Sequence, residues 1–387
     1  MTEREVAERV LREAWSGDVR LALAETYREG RCFLFRVEAA PPGHPPTVIV
    51  KRAIDQDGFV ADPDSPDRNP AHALLDEWAS LAFLVEVAPD AGLAPRFYGG
   101  DRDTCLIVYE DLGSGPSLVE PLMGTDPEAA RAALRGHAET VARLHNATTG
   151  REVRFEQIRR ELGPPVHRRG GMGWGDLDAL KPDMAEGFAA LGITAESGFW
   201  DDYRAMAEAI AQPGPFRSLV HNDSCPDNCR LTETGVRLFD FEVGGFHHRL
   251  LDAAYARMSM PHCYLSNAVP PEVVRETEET YRQFALLTAP EMADGSRFRR
   301  EMAHACFYWV VSNGIWQLRD RFDGDDFTWG IATWRQRVFH RLEALADLCD
   351  EAETMPAVAK AARETTARLH ERWTVEPLPL YPAFRRE

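Results

Sequence analysis

The stretch Leu219–Glu242, LVHNDSCPDNCRLTETGVRLFDFE, puts ionisable side chains inside two short apolar segments. Leu219 and Val220 run straight into His221, Asp223, Asp227 and Asn228, and the run Val236 to Phe241 is interrupted by Asp240. An unpaired buried carboxylate is costly, so acids in such places point to pairing, to a metal or to chemistry. Two strands of a hairpin would bring Asp223, Asn228 and Asp240 to one mouth. A carboxylate, an amide oxygen and a second carboxylate are hard oxygen ligands of the kind Mg²⁺ takes. One carboxylate left off the metal can accept a proton. Phosphoryl transfer needs this combination, with metal-held phosphates and a group that orients an attacking hydroxyl.

Working outward from that stretch, the first part of the chain reads as strands. RCFLFRVEA (Arg31–Ala39) and PTVIVKRA (Pro46–Ala53) are β-branched and aromatic, and a proline-rich turn between them predicts a hairpin in which Lys51 closes the apolar run. Asn69 followed by Pro70 predicts a helix start. The helix runs through AHALLDEWASLAFLVEV with Leu74, Trp78, Leu81 and Leu84 on one face, and it carries Glu77. CLIVYE (Cys105–Glu110) is another strand, and DLGSGPS after it is the clearest domain boundary. Beyond it the period is helical. Asp126 and Pro127 start a helix with Leu134, Ala138, Val141 and Leu144 at helical spacing, and GPPVHRRGGMGWGD (Gly163–Asp176) reads as a loop. Ile331, Trp334, Val338, Leu342, Leu345 and Leu348 form one stripe, read as core packing. Sheet first and helices afterwards predict an α+β class.

Strand lysine, helix glutamate, connecting segment, His-x-Asp loop and second aspartate stand in the order found in kinases. HNDSCPDN followed by FDFE resembles the aminoglycoside phosphotransferase and choline kinase family, whose pattern is His, any residue, Asp, four residues, Asn, then Asp-x-Glu. RLH at Arg143–His145 resembles it too, and the likeness runs over about residues 20 to 260. The resemblance implies a two-lobed, protein-kinase-like fold. Residues 1–110 would be a small antiparallel-sheet, nucleotide-binding lobe and 111–387 a large, mainly helical lobe for catalysis and acceptor binding. It implies that Asp223 is the catalytic aspartate and that Asn228 and Asp240 hold Mg²⁺. Lys51 would contact the phosphates of ATP with Glu77 orienting it, and Val108, Tyr109, Glu110 and Asp111 would form the hinge that meets adenine through its backbone. Asp252, in LLDAAY, resembles the aspartate that braces the catalytic loop.

The activity so implied is ATP- and Mg²⁺-dependent transfer of the γ-phosphate to a hydroxyl of a small molecule, with an aminoglycoside-like antibiotic first in line and antibiotic resistance as its consequence. A choline-, sugar- or other metabolite-directed kinase is the alternative, and a nucleotide-binding pseudokinase a further one. A protein kinase is disfavoured: Asn222 stands where such enzymes carry arginine, Glu242 where they carry glycine, and only eleven residues separate Asp240 from Asp252. The glycine-rich loop is poor. Gly30 is alone in AETYREGRC, so Arg28, Arg31 or the turn itself would have to meet the phosphates.

Plainer readings compete with several of these assignments. Lys51 could be an edge-strand lysine that limits aggregation. Asp76 and Glu86 compete with Glu77 on the same helix. Asp223 could be a turn former, and His221 reads as a hydrogen-bonded packing residue. His247–His248, Cys225–Cys229 and His262–Cys263 have spacings that fit no standard zinc site. In ACFYWVVSNGIWQLRDRFDGDDF, the aromatics Tyr308, Trp309 and Trp316 precede Asp320, Asp323, Asp325 and Asp326. They could receive a cationic acceptor, or be core aromatics followed by a solvated acidic loop.

The 387 residues carry a net charge of −18, are 44% hydrophobic and are 27% charged. That acidity argues against a nucleic-acid partner and for cations. Seven cysteines with no CxxC pair suit free thiols in a reducing compartment. The charged, helix-like N-terminus has no signal-peptide core, and no apolar run approaches a membrane span. The expectation is a cytoplasmic protein, monomer or homodimer, with no membrane partner.

Overall fold

Alternation along Thr47–Arg52 organises the first part of the structure. Val48 and Val50 point to one face and are fully buried, while Ile49 and Lys51 point to the other. The computed structural model describes residues 1–385 apart from 57, 164–176 and 318–320, with only the backbone of Glu29. The predicted loop after Gly163 and the candidate acid Asp320 therefore lie outside the described residues. The chain divides into two units. One is Met1–Gly115 with Arg151–His167 and Thr232–Gly245; the other is Pro116–Gly150, Arg168–Leu231 and Phe246–Glu387.

The first unit holds a five-stranded antiparallel sheet: β1 (Arg20–Tyr27), β2 (Cys32–Ala39), β3 (Thr47–Arg52), β4 (Phe97–Asp101) and β5 (Leu106–Glu110). Its order is β1-β2-β3-β5-β4, so β3 is central, and the reading of Lys51 as an edge lysine is excluded. The predicted hairpin forms as β2 and β3, with Cys32 opposite Lys51. One sheet face packs Phe33, Phe35, Val48, Val50, Leu106 and Val108 against Val6, Val10, Leu11 and Trp15 of the helix Glu3–Trp15. That helix starts in a capping box, with Thr2 and Glu5 each accepting the other's amide, a feature worth about 1 kcal/mol. The helix Pro70–Val87 starts where predicted, with Asn69 Oδ1 accepting from the Ala71 amide at 2.9 Å.

The second unit is helical. Asp126 caps Pro127–Thr148, accepting from Glu128 and Ala129, and that helix packs on Pro271–Ala285. Gly295–Ser312, Trp334–Glu351 and Pro356–His370 follow. Val338, Leu342, Leu345 and Leu348 bury one stripe of Trp334–Glu351, whereas Ile331 falls before the helix begins. Among the described residues no helix is long and apolar enough to cross a membrane.

Candidate active site

In the first unit, the strand alternation that buries Val50 turns Lys51 towards the helix Pro70–Val87. Lys51 and Glu77 are each 1% exposed. Lys51 Nζ donates to Glu77 Oε2 and Asp240 Oδ1, both at 2.5 Å, and lies 2.8 Å from Glu242 Oε1. Two arginines complete the cluster: Arg28 Nη1 donates to Asp240 Oδ2 at 2.7 Å, and Arg31 Nη2 to Glu242 Oε1 at 2.5 Å. The competing helix acids are taken elsewhere. Asp76 pairs with Arg68 and Arg159, and Glu86 with Arg154.

Burial works against the Lys51 charge, but Asp240, Glu242 and Glu77 outweigh it and hold the ammonium well above the ordinary lysine value. Burial pushes Glu77 up to about 7 against the pull of Lys51. Asp240 moves the other way. Despite its burial, Lys51 and Arg28 hold it far below the usual carboxylate range. Two acids sharing one lysine are thus driven apart, a mark of sites built for chemistry. Asp240 also sits at φ 69°, a left-handed conformation that aspartate tolerates better than most residues and that its two ion pairs hold.

In the second unit, the strand Arg217–Val220 delivers the His221–Asn228 segment, and Asp252 braces its start. Asp252 Oδ2 accepts from the His221 amide at 2.7 Å and Oδ1 from the Asn222 amide at 2.8 Å. His145 Nε2 faces Oδ2 at 3.2 Å, and its Nδ1 lies 2.9 Å from the Tyr281 hydroxyl, which accepts from Arg249 Nε at 3.0 Å. The Tyr255 hydroxyl donates to the Asn222 carbonyl at 2.7 Å, holding that residue at φ 60°. Burial opposes the Asp252 charge, but His145 and the loop amides keep its pKa lowered. Burial drives His145 down to about 4, so the imidazole is neutral at pH 7. His221 is fully buried, as a packing residue would be.

The carboxylate of Asp223 is fixed from both sides. Cys225 Sγ donates to Oδ1 at 2.9 Å and Asn228 Nδ2 to Oδ2 at 3.1 Å. Asn228 Nδ2 also donates to the Asp223 carbonyl at 3.0 Å. The structure thus brings Asp223 to Asn228 in one unit and Lys51, Glu77 and Asp240 together in the other. Sequence reasoning assigned no part to Cys225 or Tyr255. It noted Glu242 and His145 only as motif letters.

The predicted hinge is largely spent on the sheet. Val108 pairs with Val50 and Gly99, and Tyr109 with Ile49 and Phe97. The Glu110 amide donates to the Arg96 carbonyl at 2.9 Å, and the Glu110 carboxylate holds Arg237. Asp111 lies beyond the strand, its Oδ1 accepting from the Gly113 amide. The aromatic half of the predicted cation site is absent as well. Tyr308, Trp309 and Trp316 are buried core residues; Trp309 Nε1 donates to the Leu251 carbonyl and Trp316 Nε1 to Thr365 Oγ1. The helix Gly295–Ser312 turns Tyr308 and Trp309 inward and Trp316 is buried beyond its end, as the reading of core aromatics ahead of an acidic loop expects. Asp326 Oδ1 accepts from the Arg335 amide at 3.1 Å, while Asp323 and Asp325 are exposed. Cys225, Asp227 and Cys263 do bring ligand atoms within 4.8 Å of one another, a grouping of residues far apart in sequence.

The sequence pattern of one family, the phosphotransferase enzyme family, matches residues 30–291. The chain belongs to that family. Every residue of the two constellations except Arg28 falls within the matched span of this phosphotransferase, and its fold is α+β and kinase-like. Among solved structures it is similar to a choline/ethanolamine kinase family protein from Mesorhizobium loti, at 14% identity over 95% of this chain and 100% of that one, with a TM-score of 0.44. It is also similar to a candidate aminoglycoside phosphotransferase from Ralstonia eutropha (14% identity, 96% and 99% covered, TM-score 0.47). A choline kinase from Cryptosporidium parvum gives 12% identity, 89% and 93% covered, and a TM-score of 0.47. No curated protein sequence matches this phosphotransferase.

Proposed function

We propose that this phosphotransferase is an ATP- and Mg²⁺-dependent kinase that moves the γ-phosphoryl group to a hydroxyl of a small molecule. The observation that carries the reading is Lys51, a lysine sealed from water and clamped by Glu77 and Asp240. Such a network is an expensive way to stabilise a core, because apolar residues of similar volume usually do as well. It is a good way to hold one ammonium where phosphates are to bind. Lys51 would contact the nucleotide phosphates and Glu77 would fix its direction.

Glu77, Asp240 and Glu242 set carboxylate oxygens within 4.8 Å of one another, and the Lys51 ammonium already lies among them, 2.5, 2.5 and 2.8 Å from the three. Asp240 is the residue that would hold Mg²⁺, and the amide oxygen of Asn228 is the second ligand the family resemblance implies. When bound, the ion would neutralise charge on the phosphates. Asp223, its two oxygens oriented by Cys225 and Asn228, would accept or orient the proton of the acceptor hydroxyl. Adenine would be met from Asp111 onward, where the chain leaves β5. The net charge of −18 favours a cationic acceptor, an amino sugar first and a quaternary amine next.

The test is acceptor-dependent ADP release across hydroxylated antibiotics and metabolites, repeated with Asp223→Ala. Losing a positioned proton acceptor should lower turnover by roughly 10²–10⁴ while nucleotide binding persists. Near-wild-type turnover in that variant would overturn the assignment.

A further inference from the structure

We propose that in the nucleotide-free chain Arg28 takes the oxygen of Asp240 that a metal ion needs, so that the ion enters only when nucleotide phosphates draw the guanidinium away. The inference rests on the reading above, in which Asp240 is the metal ligand. Both oxygens of Asp240 are held by cations, Oδ1 by Lys51 at 2.5 Å and Oδ2 by Arg28 at 2.7 Å. A divalent ion such as Mg²⁺ binds a carboxylate oxygen at about 2.0–2.1 Å, and a guanidinium held on that same oxygen sets a like charge beside it.

Only one of the two cations can leave. The Lys51 side chain is 2% exposed and faces three carboxylates, whereas the Arg28 side chain is 45% exposed and has Asp240 as its ion-pair partner. Arg28 also stands at the tip of the turn between β1 and β2, at φ 47°, two residues before Gly30 at φ 87°. A Cβ built on Gly30 meets nothing within 4 Å, so this turn has space around it.

Charge explains why exit should wait for nucleotide. Glu77, Asp240 and Glu242 are matched by Lys51, Arg28 and Arg31, so a bare divalent ion would arrive at a cluster already neutralised. Triphosphate oxygens change this balance, because a guanidinium pairs with phosphate through two parallel donors and binds it at least as well as a carboxylate. Arg28 then serves twice. It shields Asp240 before binding, and afterwards it supplies the donors that a turn with one glycine lacks in backbone amides.

The experiment measures Mn²⁺ uptake from the free-ion EPR signal, with and without a non-hydrolysable ATP analogue whose own chelation of Mn²⁺ is subtracted from a protein-free titration, in the wild-type chain, Arg28→Gln, Arg28→Lys and Asp240→Asn. Without nucleotide, Arg28→Gln should bind Mn²⁺ about ten- to a hundredfold more tightly than wild type, the factor expected when a charge-assisted hydrogen bond no longer competes. Arg28→Lys should fall between the two. With nucleotide the advantage should vanish or reverse, because the phosphate contact is lost. Equal nucleotide-free affinity in wild type and Arg28→Gln overturns the inference while leaving the metal assignment standing, provided Asp240→Asn abolishes uptake with nucleotide. If Asp240→Asn leaves uptake with nucleotide unchanged, the metal assignment fails and the role of Arg28 fails with it.

Discussion

Replacing Asp252 with asparagine removes one charge and no volume, and its effect can be worked out from the bonds it breaks. Asp252 accepts the His221 amide on one oxygen and the Asn222 amide on the other. Asparagine keeps a single acceptor oxygen, so in either orientation its amino group must face a backbone N–H. One amide bond to a charged acceptor is lost, and a buried N–H is left without a partner. Together these should cost roughly 3–5 kcal/mol, from about 1.5–3 for the charged hydrogen bond and about 1–3 for the orphaned donor. Urea unfolding followed by far-UV circular dichroism would read that loss as a lower midpoint at unchanged slope. Activity should respond selectively, because the affected amides open the segment that carries Asp223, whereas Lys51, Glu77 and Asp240 belong to the other unit. Turnover should fall by more than tenfold with little change in the KM for nucleotide. A variant within about 1 kcal/mol of wild type and with unchanged kcat would show that Asp252 does not hold the loop.

Two further outcomes can be checked directly. Burial depresses His137, His145 and His340 from 6.5 to about 4, so between those values the unfolded chain binds more protons and stability falls as pH falls. Each should cost about 2 kcal/mol between pH 7 and pH 5, and the lowered Asp252 adds a loss only below the ordinary carboxylate range; equal urea midpoints at pH 7 and pH 5 would contradict this. Gly187→Ala should destabilise by about 1–3 kcal/mol despite the better helix propensity of alanine, because the new Cβ would lie 1.9 Å from the Trp316 carbonyl oxygen; a thermal midpoint equal to or above wild type would refute it.

The parts of the fold legible in the sequence were those fixed by local chemistry. The β-branched run ending in Lys51 became a central strand, and the Asn69–Pro70 and Asp126–Pro127 pairs started helices as caps and N1 prolines do. Glu77 could not be separated from Asp76 and Glu86 by periodicity, since all three suit a helix surface, and only the positions of Arg68, Arg159 and Arg154 distinguish them. The partners of Asp240 were hidden for a different reason. Arg28 lies 212 residues away, and an exposed arginine in a turn carries no local signal of its partner. Backbone roles were hidden as well: an apolar strand announces its burial but not whether its amides are already paired, as the pairing of Val108 and Tyr109 with strands on both sides shows.

The first unit is assembled from three stretches of chain, the last of them Thr232–Gly245. A ribosome therefore delivers Lys51 and Glu77 well before the two acids that balance them. At ordinary rates of synthesis the wait is on the order of ten seconds, far longer than a small sheet needs to collapse. During that time Lys51 has Glu77 alone for company, and burial without Asp240 and Glu242 would pull its charge away. The sheet should stay loosely closed on that side until Asp240 emerges, with its apolar strands open to chaperones or to one another. A fragment ending at Gly115 should be poorly soluble for the same reason.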